Sequence, residues 1–175
     1  MGEDEWLIPP CPPFFSEKLL YRAIAEADVR DGRVLVTVFG EPAEWPPRGL
    51  SCDRGAHTPG PSECIRRRRE LGRTEEWVAS APVGDVWTAV AEYLDRQGRR
   101  KTLGFCVVHA PRPGNPAHSM MYAVKEDDMR TRADPLFRPS SNWGDKAEVQ
   151  RAARQAMAKC LGSLTGPFGV DGQLA

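Results

Sequence analysis

The sequence predicts an α+β protein, and the patterns in its second half carry that prediction. Residues 84–98 and 146–161 place apolar side chains at the three- and four-residue spacing of an amphipathic helix. Between them, residues 103–109 and 119–125 are short segments with β-branched and aromatic residues, joined by a proline-rich loop, as in paired strands. The order helix, strand, strand, helix therefore predicts a sheet covered by helices.

Length and composition limit the chain to one ordinary domain, or to a small domain with an extension. It has 175 residues, of which 41% are hydrophobic and 27% charged, close to average globular usage. Sixteen prolines and sixteen glycines predict more loop than usual. We expect an N-terminal extension over residues 1–81, a domain over 82–164 and a tail over 165–175.

Charge and targeting signals exclude several classes of protein. The formal net charge is +0, but residues 1–81 carry eleven basic against fourteen acidic residues and residues 82–162 carry thirteen against nine. The basic second half is compatible with a polyanionic partner. The acidic N-terminal residues resemble neither a secretory signal nor a transit peptide. A myristoylation signal needs serine or threonine at position 6, where this chain has Trp6. No apolar run is long enough to span a membrane. We expect a soluble intracellular protein with no membrane partner.

The N-terminal half contains segments suited to docking. A stiff proline-rich arm begins at Pro9 and ends at Phe15, and it either lies across its own domain or binds a protein partner. Residues 16–27 have the apolar stripe of a helix capped by Ser16. The following strand begins at Val34 and ends at Phe39, and one strand needs a neighbouring domain or chain to pair with.

Residues 41–63 are rich in proline, glycine and serine and predict a loop. Cys52 and His57 in this loop and Cys64 directly after it, with Cys11, allow a zinc hypothesis. The paired Cys-x-x-Cys spacing that makes zinc knuckles recognisable is missing, so the pattern argues against it. No cofactor is predicted. Five cysteines without repeated close spacing do not indicate a disulfide framework, and Cys106 and Cys160 are interpreted as core residues.

Four consecutive arginines concentrate positive charge at one point of the chain. They are Arg66, Arg67, Arg68 and Arg69. Consecutive residues of a helix cannot share a face, so the cluster is either a solvated or ion-paired surface, a phosphate-contacting patch or a nuclear address.

The remaining elements lie in the second half. Gly98 closes the segment of residues 84–98 as a helix C-cap would, and Gly162 ends the last helix. A short third strand is predicted over residues 129–133, with a long loop after it. The sequence contains no glycine-rich nucleotide-binding loop, no serine nucleophile elbow and no metal-binding motif. A nucleophilic Cys106 with His109 or His118 as its base is disfavoured, because Cys106 and His109 would point to opposite faces of a strand. An enzyme is therefore not predicted.

Four segments of residues 82–164 resemble, in order, the signature pieces of one family. Residues 92–98 read Glu-Tyr-Leu-Asp-Arg-Gln-Gly, and residues 105–108 form an apolar strand. Pro116 and His118 precede Tyr122, and the last helix contains Ala152, Ala153, Ala156 and Met157. These segments resemble the Glu-Leu-x-Gln-x-x-Gly helix, the first strand, the Gly-Pro-x-His loop and the Ala-Ala-x-x-Ala-Leu helix of the double-stranded RNA-binding domain.

The resemblance implies an α-β-β-β-α double-stranded-RNA-binding-type domain with an N-terminal helix and strand extension. Such domains bind A-form RNA by shape, through two minor grooves and the phosphates between them. The implied function is shape-selective binding of structured or double-stranded RNA. The residues implied in RNA binding are Glu92, Arg99, Arg100, Lys101, Arg112, Asn115, Pro116, His118, Lys146 and Arg151, with a possible phosphate patch at Arg66 to Arg69.

One region departs from the family pattern. Where the family has Lys-Lys-x-Ala-Lys, this chain has Lys146 between Asp145 and Glu148. Each lost phosphate contact lowers affinity, because fewer counterions are released. The alternative hypothesis is therefore a degenerate domain of the same fold that serves as a protein-interaction or assembly subunit.

Overall fold

The computed structural model describes residues 6–7, 18–39, 49–55, 58–132, 137–140 and 142–175. Within these residues the secondary structure is mostly β. The strands are β1 Trp6–Leu7, β2 Leu19–Ile24, β3 Val29–Arg30, β4 Arg33–Val34, β5 Leu50–Arg54, β6 Trp77–Pro82, β7 Ala91–Leu94, β8 Arg100–His109, β9 His118–Lys125 and β10 Ser163–Thr165. The α-helices are α1 Pro61–Glu70, α2 Val83–Thr88 and α3 Lys146–Cys160, and 3-10 turns lie at Glu26–Asp28, Val36–Phe39 and Glu126–Asp128.

Eight strands form one antiparallel sheet that curls into a half-barrel. Seven of them follow the order β1-β8-β9-β5-β2-β6-β10, and β7 pairs with β8 on the same edge as β1. The longest ladder joins β8 to β9, from Leu103 opposite Lys125 to His109 opposite Ser119. Strands β3 and β4 form a separate two-stranded ribbon. Strands from residues 1–81 thus pair with strands from residues 82–164.

Both faces of the sheet are covered. The larger core contains Leu20, Ile24, Phe105 and Met121 together with residues of α2 and α3. Tyr21 alternates with Leu20 along β2, so it projects to the opposite face, where it packs with Ile65 of α1 and Phe168 of the C-terminal segment. Burial on both sides explains why β8 is continuously apolar from Phe105 to Val108.

The predicted α-β-β-β-α fold is wrong, and the first error lies in residues 84–98. Helix α2 ends at Thr88, and residues 91–94 form β7, in which Ala91 is buried while Glu92 and Leu94 are exposed. Gly98, with φ of 74°, belongs to the β7–β8 turn rather than to a helix C-cap. The sequence Asp-Arg-Gln-Gly fits that turn, because aspartate is favoured at its first position and glycine at its fourth.

Asp95 holds this turn together. Its Oδ1 accepts hydrogen bonds from the backbone N–H groups of Gln97 and Arg99, both at 2.9 Å, and its Oδ2 accepts one from Arg99 Nε at 2.8 Å. Burial raises the pKa of the Asp95 carboxyl, but the backbone and side-chain donors of Arg99 and Gln97 outweigh it, so the pKa lies below its usual range.

The first half also differs from prediction. Residues 16–27 contain β2 instead of a helix, because apolar side chains on both faces of a central strand imitate helical spacing. The predicted strand from Val34 to Phe39 is wrong beyond Val34, since Val36–Phe39 is a 3-10 turn. The predicted loop over residues 41–63 contains β5 and the start of α1.

The elements with the clearest local patterns are confirmed. Strands β8 and β9 and helix α3 lie where the sequence predicts them. The third strand is not found in the described part of residues 129–133, because residues 129–132 form a turn. The arm from Pro9 to Phe15 lies outside the described residues.

Candidate functional site

A cleft of about 690 Å³ opens where β2 and β5 separate. Their ladder comprises two pairs, Leu20 with Arg54 and Tyr21 with Asp53, whereas β2 makes six pairs with β6. Beyond Tyr21 the two strands diverge, and the cleft walls come from both strands, from α1 and from the loop between β8 and β9. The site therefore arises from an incomplete sheet.

Ser51 and His118 form a hydrogen-bonded pair that lines this cleft. Asp53 of β5 is opposite His118 of β9, so Ser51, two residues earlier on the same face, is the diagonal neighbour of His118. Ser51 Oγ lies 2.9 Å from His118 Nε2. Ser51 is exposed, whereas His118 is buried with 5% of its surface accessible.

The ring of His118 is oriented by a backbone carbonyl. Its Nδ1 lies 2.6 Å from the carbonyl oxygen of Ala110, a group that only accepts hydrogen bonds. This contact assigns the proton to Nδ1, which leaves Nε2 of the neutral ring as an acceptor for the Ser51 hydroxyl. A serine hydroxyl bonded to a fixed imidazole is an arrangement capable of proton transfer.

Asn115 joins three walls of the cleft. Its Nδ2 donates to Asp53 Oδ1 at 2.8 Å, and its Oδ1 accepts from Arg67 Nη1 at 3.2 Å. Asn115 Oδ1 also accepts from the backbone N–H of Ala117 at 3.1 Å, which fixes the loop itself. The side chain predicted to contact RNA therefore holds the β8–β9 loop against β5 and α1.

Arg22 bridges the gap between the diverging strands. Its Nη1 donates to the Ser51 carbonyl oxygen at 2.7 Å, and its Nη2 donates to the Val38 carbonyl oxygen at 3.1 Å. Its Nε is buried and has no hydrogen-bond partner among the described residues. Burial lowers the pKa of the Arg22 guanidinium, and Glu75 acts in the opposite direction. A positive charge is thus fixed beside Ser51.

The arginine cluster of α1 is largely ion-paired. Arg66 binds Glu63 and Glu70, and Arg66 holds the pKa of the Glu63 carboxyl below its usual range. Arg67 pairs with Glu63 at 3.1 Å and Asp53 at 3.7 Å, and Arg68 pairs with Glu75. Arg69 donates to the Arg73 carbonyl oxygen at 3.3 Å. Carboxylates therefore occupy much of the surface that phosphates would need.

The structure divides the residues implied in RNA binding into two groups. Arg112, Asn115 and His118 line the cleft, whereas Pro116 is exposed in the same loop. The other group lies toward the opposite end of β8 and on α3: Glu92, Arg99, Arg100, Lys101, Lys146 and Arg151. β8 has ten residues, so its ends are roughly 30 Å apart. Glu92 pairs with Arg100 at 3.6 Å, and Lys146 and Arg151 are exposed on α3.

Sequence reasoning missed Ser51 and Arg22. The only local pattern that sets Ser51 apart is its position between two core residues. Leu50 and Cys52 point into the core, so Ser51 points to the other face of the strand. Nothing in the sequence around position 51 indicates the histidine 67 residues away.

The thiols considered for zinc or catalysis are core groups. Burial raises the pKa of the Cys52 and Cys106 thiols to about 12 each, and it also raises the pKa of Cys64. Cys52 Sγ donates to the Ser119 carbonyl oxygen at 3.6 Å. His57 lies outside the described residues, and within those residues no group of three or more His, Cys, Asp or Glu side chains is placed to hold a metal ion.

Among the helices in the described parts of the chain, none has the length and apolar character needed to cross a membrane. No protein-family model matches the chain, and no curated protein or solved structure is similar enough to it to indicate a relative. The cleft is therefore interpreted from its own chemistry.

Proposed function

We propose that the protein binds a small polar ligand carrying an anionic group in the cleft between β2, β5, α1 and the β8–β9 loop. The observation that carries this proposal is Arg22, a cation fixed in the cleft wall with a buried Nε that has no hydrogen-bond partner among the described residues. A buried donor without a partner costs roughly 1–3 kcal/mol, more when it is charged. Nε itself has no accessible surface, so a carboxylate or phosphate bound in the cleft would act on the guanidinium as a whole, by balancing its positive charge.

The size and lining of the cleft suit a small molecule. Its volume of about 690 Å³ falls within the range of roughly 300–1,000 Å³ for small-ligand sites. Apolar groups such as Ile24 and Val38 share its walls with Ser51, Asn115 and His118. Such a lining combines apolar contact area with a few fixed hydrogen-bonding groups.

Four arginines and four acidic residues line the cleft, but the arginines differ in whether they have a carboxylate partner. Arg67 and Arg68 have carboxylate partners, whereas Arg22 and Arg112 make no carboxylate ion pair with the residues that the structure describes. Arg112 is exposed on the β8–β9 loop. A guanidinium offers paired N–H donors that match carboxylate and phosphate oxygens.

Binding of duplex RNA has no support from this fold. The hypothesis depended on three contact regions of an α-β-β-β-α domain: its first helix, the loop that carries His118 and the start of its last helix. The segment implied as the first helix contains strand β7. Its implied contact residues also fall into two groups separated by the length of β8.

The test is calorimetric titration of the full chain with inorganic phosphate, succinate and adenosine monophosphate, with D-ribose as the uncharged probe. We expect at least one anion to bind and Arg112→Gln to weaken it about tenfold, the loss expected for one charge-assisted hydrogen bond. Arg130→Gln is the matched control, since Arg130 is also exposed but does not line the cleft. Binding of no anion, tighter binding of ribose, or equal losses in both variants would reject the proposal.

A further inference from the structure

We propose that Ser51 is a nucleophile activated by His118, and that the cleft hydrolyses small carboxylic esters that carry an anionic group. This inference rests on the proposed function, because the anionic group would place the ester beside Ser51. The geometry that points to it is the 2.9 Å contact between Ser51 Oγ and His118 Nε2, together with the 2.6 Å contact between His118 Nδ1 and the Ala110 carbonyl.

The three groups have complementary roles in proton transfer. A nucleophilic serine needs a base within hydrogen-bond reach, and the base needs a third group that fixes its ring and tautomer. The Ala110 carbonyl accepts the Nδ1 proton, so it selects the tautomer with Nε2 free to take the serine proton. When Nε2 is protonated, the same carbonyl dipole stabilises the imidazolium.

The reaction balances with water as the co-substrate. Ser51 Oγ bonds to the ester carbonyl carbon while its proton moves to His118 Nε2. The bond from that carbon to the leaving alkoxide oxygen breaks, and the alcohol leaves with the proton. Water then bonds to the acyl carbon, giving a proton to Nε2. The Ser51 ester bond breaks as Oγ takes that proton back, which releases the carboxylic acid.

Rigid elements hold both reacting groups. Ser51 pairs with Met120 in the β5–β9 ladder, and its carbonyl oxygen accepts the Arg22 Nη1 bond at 2.7 Å. His118 begins β9, and its backbone N–H donates to the Asn115 carbonyl at 3.3 Å. Sites built on strands keep reacting groups within small tolerances. The Arg22 guanidinium, bonded to the Ser51 carbonyl oxygen, adds positive charge to the same part of the cleft.

The first experiment treats the full chain with a fluorophosphonate probe and maps the modified peptide by mass spectrometry. The same preparation is assayed with p-nitrophenyl acetate and with the p-nitrophenyl monoester of glutaric acid. We expect an adduct at Ser51, faster hydrolysis of the anionic ester, and a loss of about 100-fold or more in Ser51→Ala. Ser163→Ala is the matched control, an exposed serine on strand β10 that should retain labelling and activity.

A second pair of variants tests activation by His118 directly. Ser51→Cys should be alkylated by iodoacetamide at pH 7 about tenfold or more faster than Ser163→Cys, because an adjacent imidazole promotes the thiolate. Peptide mapping separates these sites from the native thiols. Equal alkylation rates, or a missing Ser51 adduct with unchanged hydrolysis in Ser51→Ala, would overturn the inference. If Ser51→Ala still binds the anion, the proposed function stands although the hydrolysis does not. If neither the unmodified chain nor Ser51→Ala binds an anion, the proposed function and the hydrolysis are both rejected.

Discussion

Arg132 connects two core elements through one side chain. Its Nη1 donates to the Phe105 carbonyl oxygen at 3.0 Å, and its Nη2 donates to the Trp87 carbonyl oxygen at 2.6 Å. The guanidinium lies 4.6 Å from the centre of the Trp87 ring. It passes over Gly104, where an added Cβ would lie 2.7 Å from Nη1, so a side chain at position 104 would push the guanidinium out of its present place. Helix α2 is therefore attached to β8 by an arginine that the sequence pattern placed in the predicted third strand over residues 129–133.

Arg132→Ala should lower the free energy of unfolding by about 2–3 kcal/mol, because two carbonyls lose a charged donor and Trp87 loses its cation contact. Arg132→Lys should recover only part of this, since an ammonium cannot reproduce the planar paired donors. Urea denaturation followed by tryptophan fluorescence measures both. Arg130→Ala, at an exposed neighbouring position, should change stability by less than about 0.5 kcal/mol. Equal effects of the Arg130 and Arg132 variants would contradict this role.

Strand β5 meets β2 closely at one end and separates from it at the other. Gly55 N–H donates to the Leu19 carbonyl oxygen at 2.6 Å, and a Cβ at Gly55 would lie 2.8 Å from that oxygen and 3.2 Å from Leu19 nitrogen. These are backbone atoms, which cannot move aside as a flexible side chain can. The close end therefore fixes the angle at which the two strands open into the cleft.

Gly55→Ala should destabilise the protein by about 1–3 kcal/mol, the cost of overpacking a closed contact. It should also weaken anion binding, because a shift of β5 moves Ser51 relative to Arg22. Thermal unfolding and the calorimetric titration measure the two effects on one sample. Gly144→Ala is the control, since a Cβ there meets nothing within 4 Å. A stable Gly55→Ala protein with unchanged binding would show that the close contact does not set the cleft geometry.

The whole molecule is organised by one sheet drawn from both halves of the chain. Strands β1, β2, β5 and β6 come from residues 1–82, and β7, β8, β9 and β10 come from residues 83–175. β9 pairs with β5, and β10 pairs with β6, so each half lacks hydrogen-bond partners when alone. Unpaired strand edges and exposed core faces do not make a stable domain.

A fragment of residues 83–175 should therefore show no cooperative thermal transition by circular dichroism, while the full chain should unfold in one transition. Mixing the fragment of residues 83–175 with a fragment of residues 1–82 should restore a transition, because the β5–β9 and β6–β10 ladders form again. A fragment of residues 83–175 that unfolds cooperatively by itself would contradict the single-sheet interpretation and favour an independent C-terminal domain.

The sequence alone determined β8, β9 and α3, because each element carries its own complete pattern: two long apolar strands and an amphipathic helix of small residues. It also singled out His118 and Asn115, but it assigned them to RNA contact. Only the tertiary structure decided that β2 is a strand, since a segment buried on both faces has no period that distinguishes it from a helix. Only the tertiary structure brought Ser51 to His118, 67 residues apart, because register between distant strands depends on which faces both strands bury and not on local propensity.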